Sequence, residues 1–336
     1  MNWICLEDRA PLTPRGDALA CSVCNHEYEV VDGAPVFTRN DRERANVERV
    51  APLLESIWRS MQTKSAAEAA AKFCRGRRCT RSLYSADWKF FLSVPPGGTT
   101  LELGAGFGDD SFDLAGRSGD TISIVPSLTN ARIVSKHFRE RAEQPWPVAV
   151  MADIARLPLP DASVHAVSLE DAAATGFGLS NARLPEAAAE WRRVLAPGGV
   201  VFLGVANGLH RTPGLQSLRS ILRARPRPES LNRLIKRSAA PRASGRLTLG
   251  RTIQTMTRLG FRPPIVYAPL PDENDTQVVI PIDDAHVVRY FLDNLIRKNS
   301  RIVRVALRAA RVSVSLGLFR RLVAHYYLIF RTDASS

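Results

Sequence analysis

Short apolar runs alternate with amphipathic stretches through the middle of the chain. Thr99–Leu103, Thr121–Val125, Val148–Met151, Val164–Leu169 and Val200–Val205 are four to six residues long and rich in β-branched side chains. Such runs predict strands buried on both faces. Between them, residues 128–143 (Leu128, Ile133 and Phe138 among the apolar positions) and Leu184–Leu195 read as helices. Strands alternating with helices predict an α/β fold with a mostly parallel sheet. Upstream, Val47, Val50, Leu54, Ile57 and Met61 recur every three or four residues, which predicts one helix over residues 41–72 with a single apolar stripe. Downstream, Thr248–Leu259 reads as a helix stopped by Gly260. Pro95-Pro96-Gly97-Gly98 marks a turn and a domain boundary.

The first of the central strands runs into ELGAGFGDDS, with Gly104, Gly106 and Gly108 at alternate positions. Strand, glycine turn and helix start together leave room for a ligand against the backbone and free N–H groups beside it. Asp109 or Ser111 would cap the helix. A dinucleotide site needs G-x-G-x-x-G, and here the spacing is G-x-G-x-G. Asp109 and Asp110 would repel a pyrophosphate, so a cationic ligand without phosphate suits the turn better.

Composition narrows the partners. The net charge is +13, which admits nucleic acid, an anionic membrane or an acidic substrate. No apolar run reaches the roughly 18–20 residues needed to span a bilayer, and the N-terminus has no apolar signal region, so the cytoplasm is the expected location. Five cysteines fit reduced thiols or a metal site better than a disulfide framework. Cys21 and Cys24 form a C-x-x-C pair, and Cys5 and Asp8 have the same separation. Paired knuckles of this kind resemble zinc-ribbon modules, and zinc accepts a carboxylate oxygen beside thiolates, so by that resemblance Cys5, Asp8, Cys21 and Cys24 are candidate zinc ligands, with His26 in reserve. The alternative is a unit without metal that rests on its own hairpin core. Cys74 and Cys79, in KFCRGRRCTR, are either ligands or ordinary thiols.

Residues 207–251 carry eleven arginines and lysines, from Arg211 to Arg251, against one acid, Glu229. The run is either a solvated face or a lid for an anion, such as a phosphate, a diphosphate-linked glycan, a lipid head group or RNA. It lacks aromatic residues, which argues against stacking on single-stranded bases. A second basic stretch places Arg297, Arg301, Arg304, Arg308 and Arg311 on one face of a helix, which either lies on an anionic membrane or is an ordinary surface helix.

Two resemblances follow from these motifs. Residues 1–38, with two knuckles and the ending Tyr28-x-Val30-x-Asp32-Gly33-x-Pro35-Val36, resemble the zinc-ribbon module found with methyltransferases. That module usually has four cysteines, and here Asp8 stands in the second place. ELGAGFG, ADIARLPLPDASVHAV and EWRRVLAPGGVVFLGV, in that order, resemble the class I S-adenosylmethionine-dependent methyltransferases over roughly residues 85–210.

The second resemblance implies a seven-stranded sheet with helices on both faces. Pro264–Ala268 and Ala324–Thr332 would be its sixth and seventh strands, an antiparallel pair at one edge. It also implies S-adenosylmethionine as cofactor, its methionine part cradled by Glu102, Leu103, Gly104, Ala105, Gly106 and Gly108. Asp153 and the Ile154 N–H would read adenine, and Glu170 would line the site. The family's ribose-binding acid sits where this chain has Val125, leaving Ser127 and Asn130 as substitutes. Asp171 and His210 are positional candidates for the acceptor's base, and His165 reads as structural.

The implied division is a zinc-ribbon-like module (1–38), a helical cover (39–95), a cofactor-binding core (96–206), a basic insertion (207–250) and a C-terminal part (251–336) with a helical insertion near 272–323. The expected activity is methyl transfer to a glycan, lipid-linked or other anionic acceptor. An RNA methyltransferase and a non-catalytic scaffold are the alternatives. Peripheral contact with the inner face of the membrane fits the charge, and oligomeric state is not legible in the sequence.

Overall fold

The computed structural model of the chain describes residues 2–49, 52–66, 68–69, 91–106, 108–141, 147–207, 247–270, 276, 278–294, 308 and 310–333. His210, Cys74, Cys79 and almost all of the basic insertion lie outside the described residues.

Strands β1 (Leu12–Arg15), β2 (Ala18–Cys21), β3 (Glu27–Val31) and β4 (Ala34–Phe37) come first. Helices α1 (Asp41–Glu48) and α2 (Pro52–Met61) follow. Then come β5 (Gly98–Leu103), α3 (Asp109–Ser118), β6 (Gly119–Val125), α4 (Leu128–Arg141), β7 (Val148–Met151), β8 (Val164–Leu169), α5 (Asp171–Gly176), α6 (Leu184–Val194) and β9 (Leu195–Ala206). The chain closes with α7 (Leu249–Arg258), β10 (Ile265–Leu270), β11 (Val278–Pro281), α8 (Ala285–Asn294) and β12 (His325–Arg331). Among the described residues no helix is long and apolar enough to cross a membrane.

The strands form one mixed sheet in the order β1-β2-β3-β4-β7-β6-β5-β8-β9-β12-β10-β11. This corrects the expectation of seven strands to twelve. The seven expected strands are its middle, from β7 to β10, and β4 to β9 pair in parallel along β4-β7-β6-β5-β8-β9. β12 runs antiparallel between β9 and β10, as the resemblance implied. The five extra strands are added at both edges. β11 extends the β10 edge, and the N-terminal hairpins extend the other.

The cause of the N-terminal extension is β4. All four of its residues are buried. Ala34 and Val36 join the cluster of Val125, Val134, Phe138 and Val150 on one face, and Phe37 joins Tyr28, Cys5 and the main core on the other. A strand buried on both faces is an interior strand. The N-terminal unit is therefore continuous with the sheet.

Three local readings also change. Among the described residues the helix expected over 41–72 is broken: the backbone turns extended at Arg49, and Pro52 opens a second helix that ends at Met61. Ala196-Pro197-Gly198-Gly199, whose composition predicts a sharp turn into the strand that follows, is a bulge within β9. Leu195 pairs with Val164 and Val200 with Ala166, so four residues of β9 are accommodated opposite one of β8. β11 and α8 lie in the 272–323 insertion, where only a helix was expected.

Candidate functional site

The direction of strand succession reverses between β5 and β8: β6 and β7 lie on one side, β8 and β9 on the other. Ligands of open α/β sheets bind at such a switch point, beyond the carboxyl ends of the strands. The glycine turn after β5 is there. Gly104 has φ +83°, and a Cβ on it would stand 2.3 Å from the Ala173 Cβ, so only glycine lets α5 rest on the turn. Gly106 has φ +55°, with nothing among the described residues within 4 Å of where its Cβ would be. One glycine closes the turn against the protein and the other leaves it open outward.

Glu102 lies beneath the turn, 5% exposed. Ser111 and Ser123 donate their hydroxyls to its Oε2, the latter at 3.1 Å. Burial pushes its pKa up to about 8, and the charges of Asp110 and Glu170 add to the shift against the pull of the two serines. Near neutrality it is a protonated acid held by the two serine hydroxyls. Ser111 is accordingly not the cap of α3. Gly108, at φ +92°, is the N-cap and the helix starts at Asp109.

Val125, where the family has an acid, is fully buried in the apolar cluster against α4. Of its two substitutes, Ser127 accepts from the Asn130 backbone N–H (3.2 Å), and the Asn130 side-chain amide reaches the Gly106 carbonyl (3.5 Å). The structure thus brings Ser127 and Asn130 to the glycine turn. Leu103 and Ala105 are buried within it.

Asp153 sits two residues past the end of β7. Its Oδ1 accepts from the Ala155 N–H (2.9 Å) and from Arg183 Nη2 (2.6 Å), and its Oδ2 from Arg39 Nη2 (3.2 Å). Ile154 is buried. Glu170 is the N-cap residue of α5, and Asp171 Oδ1 accepts from the Ala206 N–H at 3.4 Å, next to the end of β9. Both lie at the carboxyl end of the sheet. His165 Nδ1 accepts from the Thr99 N–H (3.1 Å), a structural bond between β8 and β5. Sequence reasoning missed Arg39, Arg183 and Ser123. Nothing local marks them, because each acts on a residue from another element.

A second cluster lies in the N-terminal unit. One ligand atom from each of Cys5, Asp8, Cys21 and Cys24 falls within 4.8 Å of the others. Cys5 Sγ is 3.6 Å from Cys24 Sγ, and Cys21 Sγ is 3.1 Å from Asp8 Oδ2. The two halves repeat one backbone geometry. Cys5 N–H donates to Ala10 O and Cys21 N–H to His26 O. Arg9 N–H donates to Cys5 O and Asn25 N–H to Cys21 O, both at 3.1 Å. Arg9 and Asn25 both have positive φ, at 63° and 59°. Glu7 and Val23 N–H groups point at Cys5 and Cys21 Sγ, each at 3.4 Å. Asp8 occupies in the first knuckle the place of Cys24 in the second.

The cluster crowds anions. The Ala10 N–H and the surrounding thiols hold the Asp8 carboxyl at about 2. The His26 backbone pulls the Cys24 thiol down, but Asp8, burial, Cys5 and Cys21 outweigh it and push the thiol up to about 12. A tetrahedral zinc with Zn–S bonds of about 2.3 Å sets sulfurs about 3.8 Å apart. Three sulfurs and one carboxylate at these separations fit such an ion.

Residues 101–203 match the family described as "Methyltransferase domain". This segment is a methyltransferase domain. It spans the glycine turn, Asp153 and strands β6 to β8, the same stretch on which the class I resemblance rests, and S-adenosylmethionine is the cofactor that goes with it. The chain is thus an enzyme of the transferase class. No curated protein matches it.

Among solved structures, a geranyl diphosphate methyltransferase in complex with GPP and sinefungin is 17% identical, with 73% of this chain and 77% of that one covered and a TM-score of 0.40. The cyclopropane synthase MmaA2 from Mycobacterium tuberculosis is 15% identical, with 87% and 100% covered and a TM-score of 0.45. The mycolic acid cyclopropane synthase CmaA1, complexed with SAH and CTAB, is 15% identical, with 86% and 98% covered and a TM-score of 0.44. The methyltransferase assignment rests on the family match and the ordered motifs.

Proposed function

We propose that the protein transfers the methyl group of S-adenosylmethionine to an anionic acceptor, a glycan or lipid-linked molecule. The observation that carries the reading is the outward-open Gly106 at the switch point, with Asp153 one strand beyond β6 at the same end of the sheet. The cofactor supplies an activated methyl and its own leaving group, so the chain has mainly to bind and orient. In this reading the turn from Gly104 to Gly108 receives the methionine part, with Leu103 and Ala105 shaping it and Glu102 holding it from below. Asp153 and the Ile154 N–H read adenine, Ser127 and Asn130 stand near the ribose, and Glu170 lines the site. Asp171, at the start of α5 and beside the end of β9, is placed to take a proton from an acceptor. The charge of +13 and the arginines of the insertion favour an anionic acceptor. In the N-terminal unit, Cys5, Asp8, Cys21 and Cys24 hold a structural zinc ion.

Val125 supports a second reading. Its buried apolar side chain offers no acceptor for a diol, as a scaffold that no longer turns over would allow. Incubation with methyl-labelled S-adenosylmethionine and fractionated cell extracts separates the readings. Label in the glycan or lipid fraction is expected. Label in RNA replaces the acceptor class, and no label in any fraction, with cofactor bound, favours the scaffold.

A further inference from the structure

The segment just past β4 reaches Asp153, and the sheet register explains how. Val36 pairs with Val150 and Phe37 with Met151, a constant offset of 114 residues. Continued two residues past β4, the same register brings Arg39 level with Asp153. The two are joined there, Arg39 Nη2 to Asp153 Oδ2 at 3.2 Å. Arg39 is itself held. Glu43 takes its Nε (3.0 Å), its Nη2 (2.6 Å) and its backbone N–H (2.8 Å). From the opposite side Arg183, the N-cap residue of α6, binds Asp153 Oδ1 at 2.6 Å. The charges of Glu43, Arg39, Asp153 and Arg183 sum to zero, so the group adds no net repulsion toward a cationic cofactor.

A carboxylate offers about four acceptor positions. Arg183 and the Ala155 N–H occupy Oδ1, and Arg39 occupies one position on Oδ2. One position remains on Oδ2, aimed by three fixed donors. It suits a single hydrogen-bond donor, such as the exocyclic amine of adenine, and repels a carbonyl oxygen at the same place. We infer that Arg39 and Arg183 are positioning residues that turn Asp153 into a one-donor reader of the 6-amino group, so that the link between β4 and α1 is a working part of cofactor selection. The inference rests on Asp153 facing adenine.

The test is calorimetric titration of the full chain with S-adenosylhomocysteine and with S-inosylhomocysteine, which carries a 6-oxo group in place of the amine. Wild type prefers the adenosyl ligand. In Arg39→Ala and in Arg183→Ala the preference falls by about tenfold, and Arg39→Lys, which keeps the charge and loses the fork, restores only part of it. A variant that loosens the fold lowers both affinities by one factor and leaves the ratio alone, and that outcome overturns the assignment, as does an unchanged preference in both alanine variants. If wild type binds neither ligand, the cofactor reading itself fails and the clamp fails with it. If wild type binds both ligands equally, only the clamp fails.

Discussion

The buried acid under the glycine turn makes the stability of this chain depend on pH in a direction opposite to that of ordinary carboxylates. Glu102 is 5% exposed and its pKa is raised from 4.5 to about 8, chiefly by burial. Between those two values the folded chain binds the proton and the unfolded chain has released it. Unfolding then releases a proton, and stability falls as pH rises. Each unit of separation corresponds to about 1.4 kcal/mol. A gap of about 3.5 units gives a full penalty of about 5 kcal/mol above pH 8, of which about 4 kcal/mol develops between pH 5 and pH 9. That is a large share of the roughly 5–15 kcal/mol by which domains are stable.

Glu102→Gln keeps the shape and an oxygen to accept from Ser111 and Ser123, but cannot ionise. Urea unfolding followed by tryptophan fluorescence, with the fully buried Trp191 as one reporter, measures both proteins at pH 5, 7 and 9. The variant gains on wild type by about 4 kcal/mol across that range. Stability curves that run parallel for the two proteins from pH 5 to pH 9 would refute the reasoning.

Other predictions follow from the same geometry. Gly104→Ala combines a left-handed backbone with a 2.3 Å approach to Ala173, and lowers stability by about 2–4 kcal/mol in the same unfolding assay. Glu190, 7% exposed at its side chain, accepts from Arg9, Arg193 and the Leu157 N–H, and so ties the N-terminal unit to the loop after β7. Glu190→Ala costs about 3 kcal/mol in thermal unfolding, near the low end for breaking a buried pair because Arg9 is partly exposed. Burial alone would raise the Glu190 pKa, but Arg193 and Arg9 hold it below the usual range. Its contribution is therefore present at neutral pH and is lost as pH falls through that lowered value. Elemental analysis of purified protein gives one zinc per chain, lost in Cys24→Ser, whereas Asp8→Cys retains the ion and resists chelators longer than wild type.

The central strands were legible because parallel strands covered on both faces are predominantly apolar and β-branched, and TTLEL, TISIV and VAVM are short enough to exclude helices. The turn and the knuckles were legible because their chemistry is local: glycines at alternate positions, and the Cys5–Asp8 and Cys21–Cys24 pairs each three apart. What escaped was decided by contacts between distant segments. The burial of Ala34–Phe37 on both faces depends on β7, which lies more than a hundred residues on. Arg39 and Arg183 gain their meaning only when the sheet brings both to Asp153. The Glu102 carboxyl looks in the sequence like a ligand-facing acid at the end of a strand, and Ser111 and Ser123 show that it faces down into the protein. Val125 was visible as a departure, and its full burial gives the reason: the side chain belongs to the core beneath α4.

The central claim is that the turn at Gly106 holds the cofactor despite Val125. Calorimetric titration of wild type and Gly106→Arg with S-adenosylhomocysteine tests it most directly. The account predicts micromolar binding by wild type and none by the variant, whose side chain would fill the open space at a residue with φ +55°. No binding at millimolar ligand by folded wild type, with its metal content verified, would contradict it.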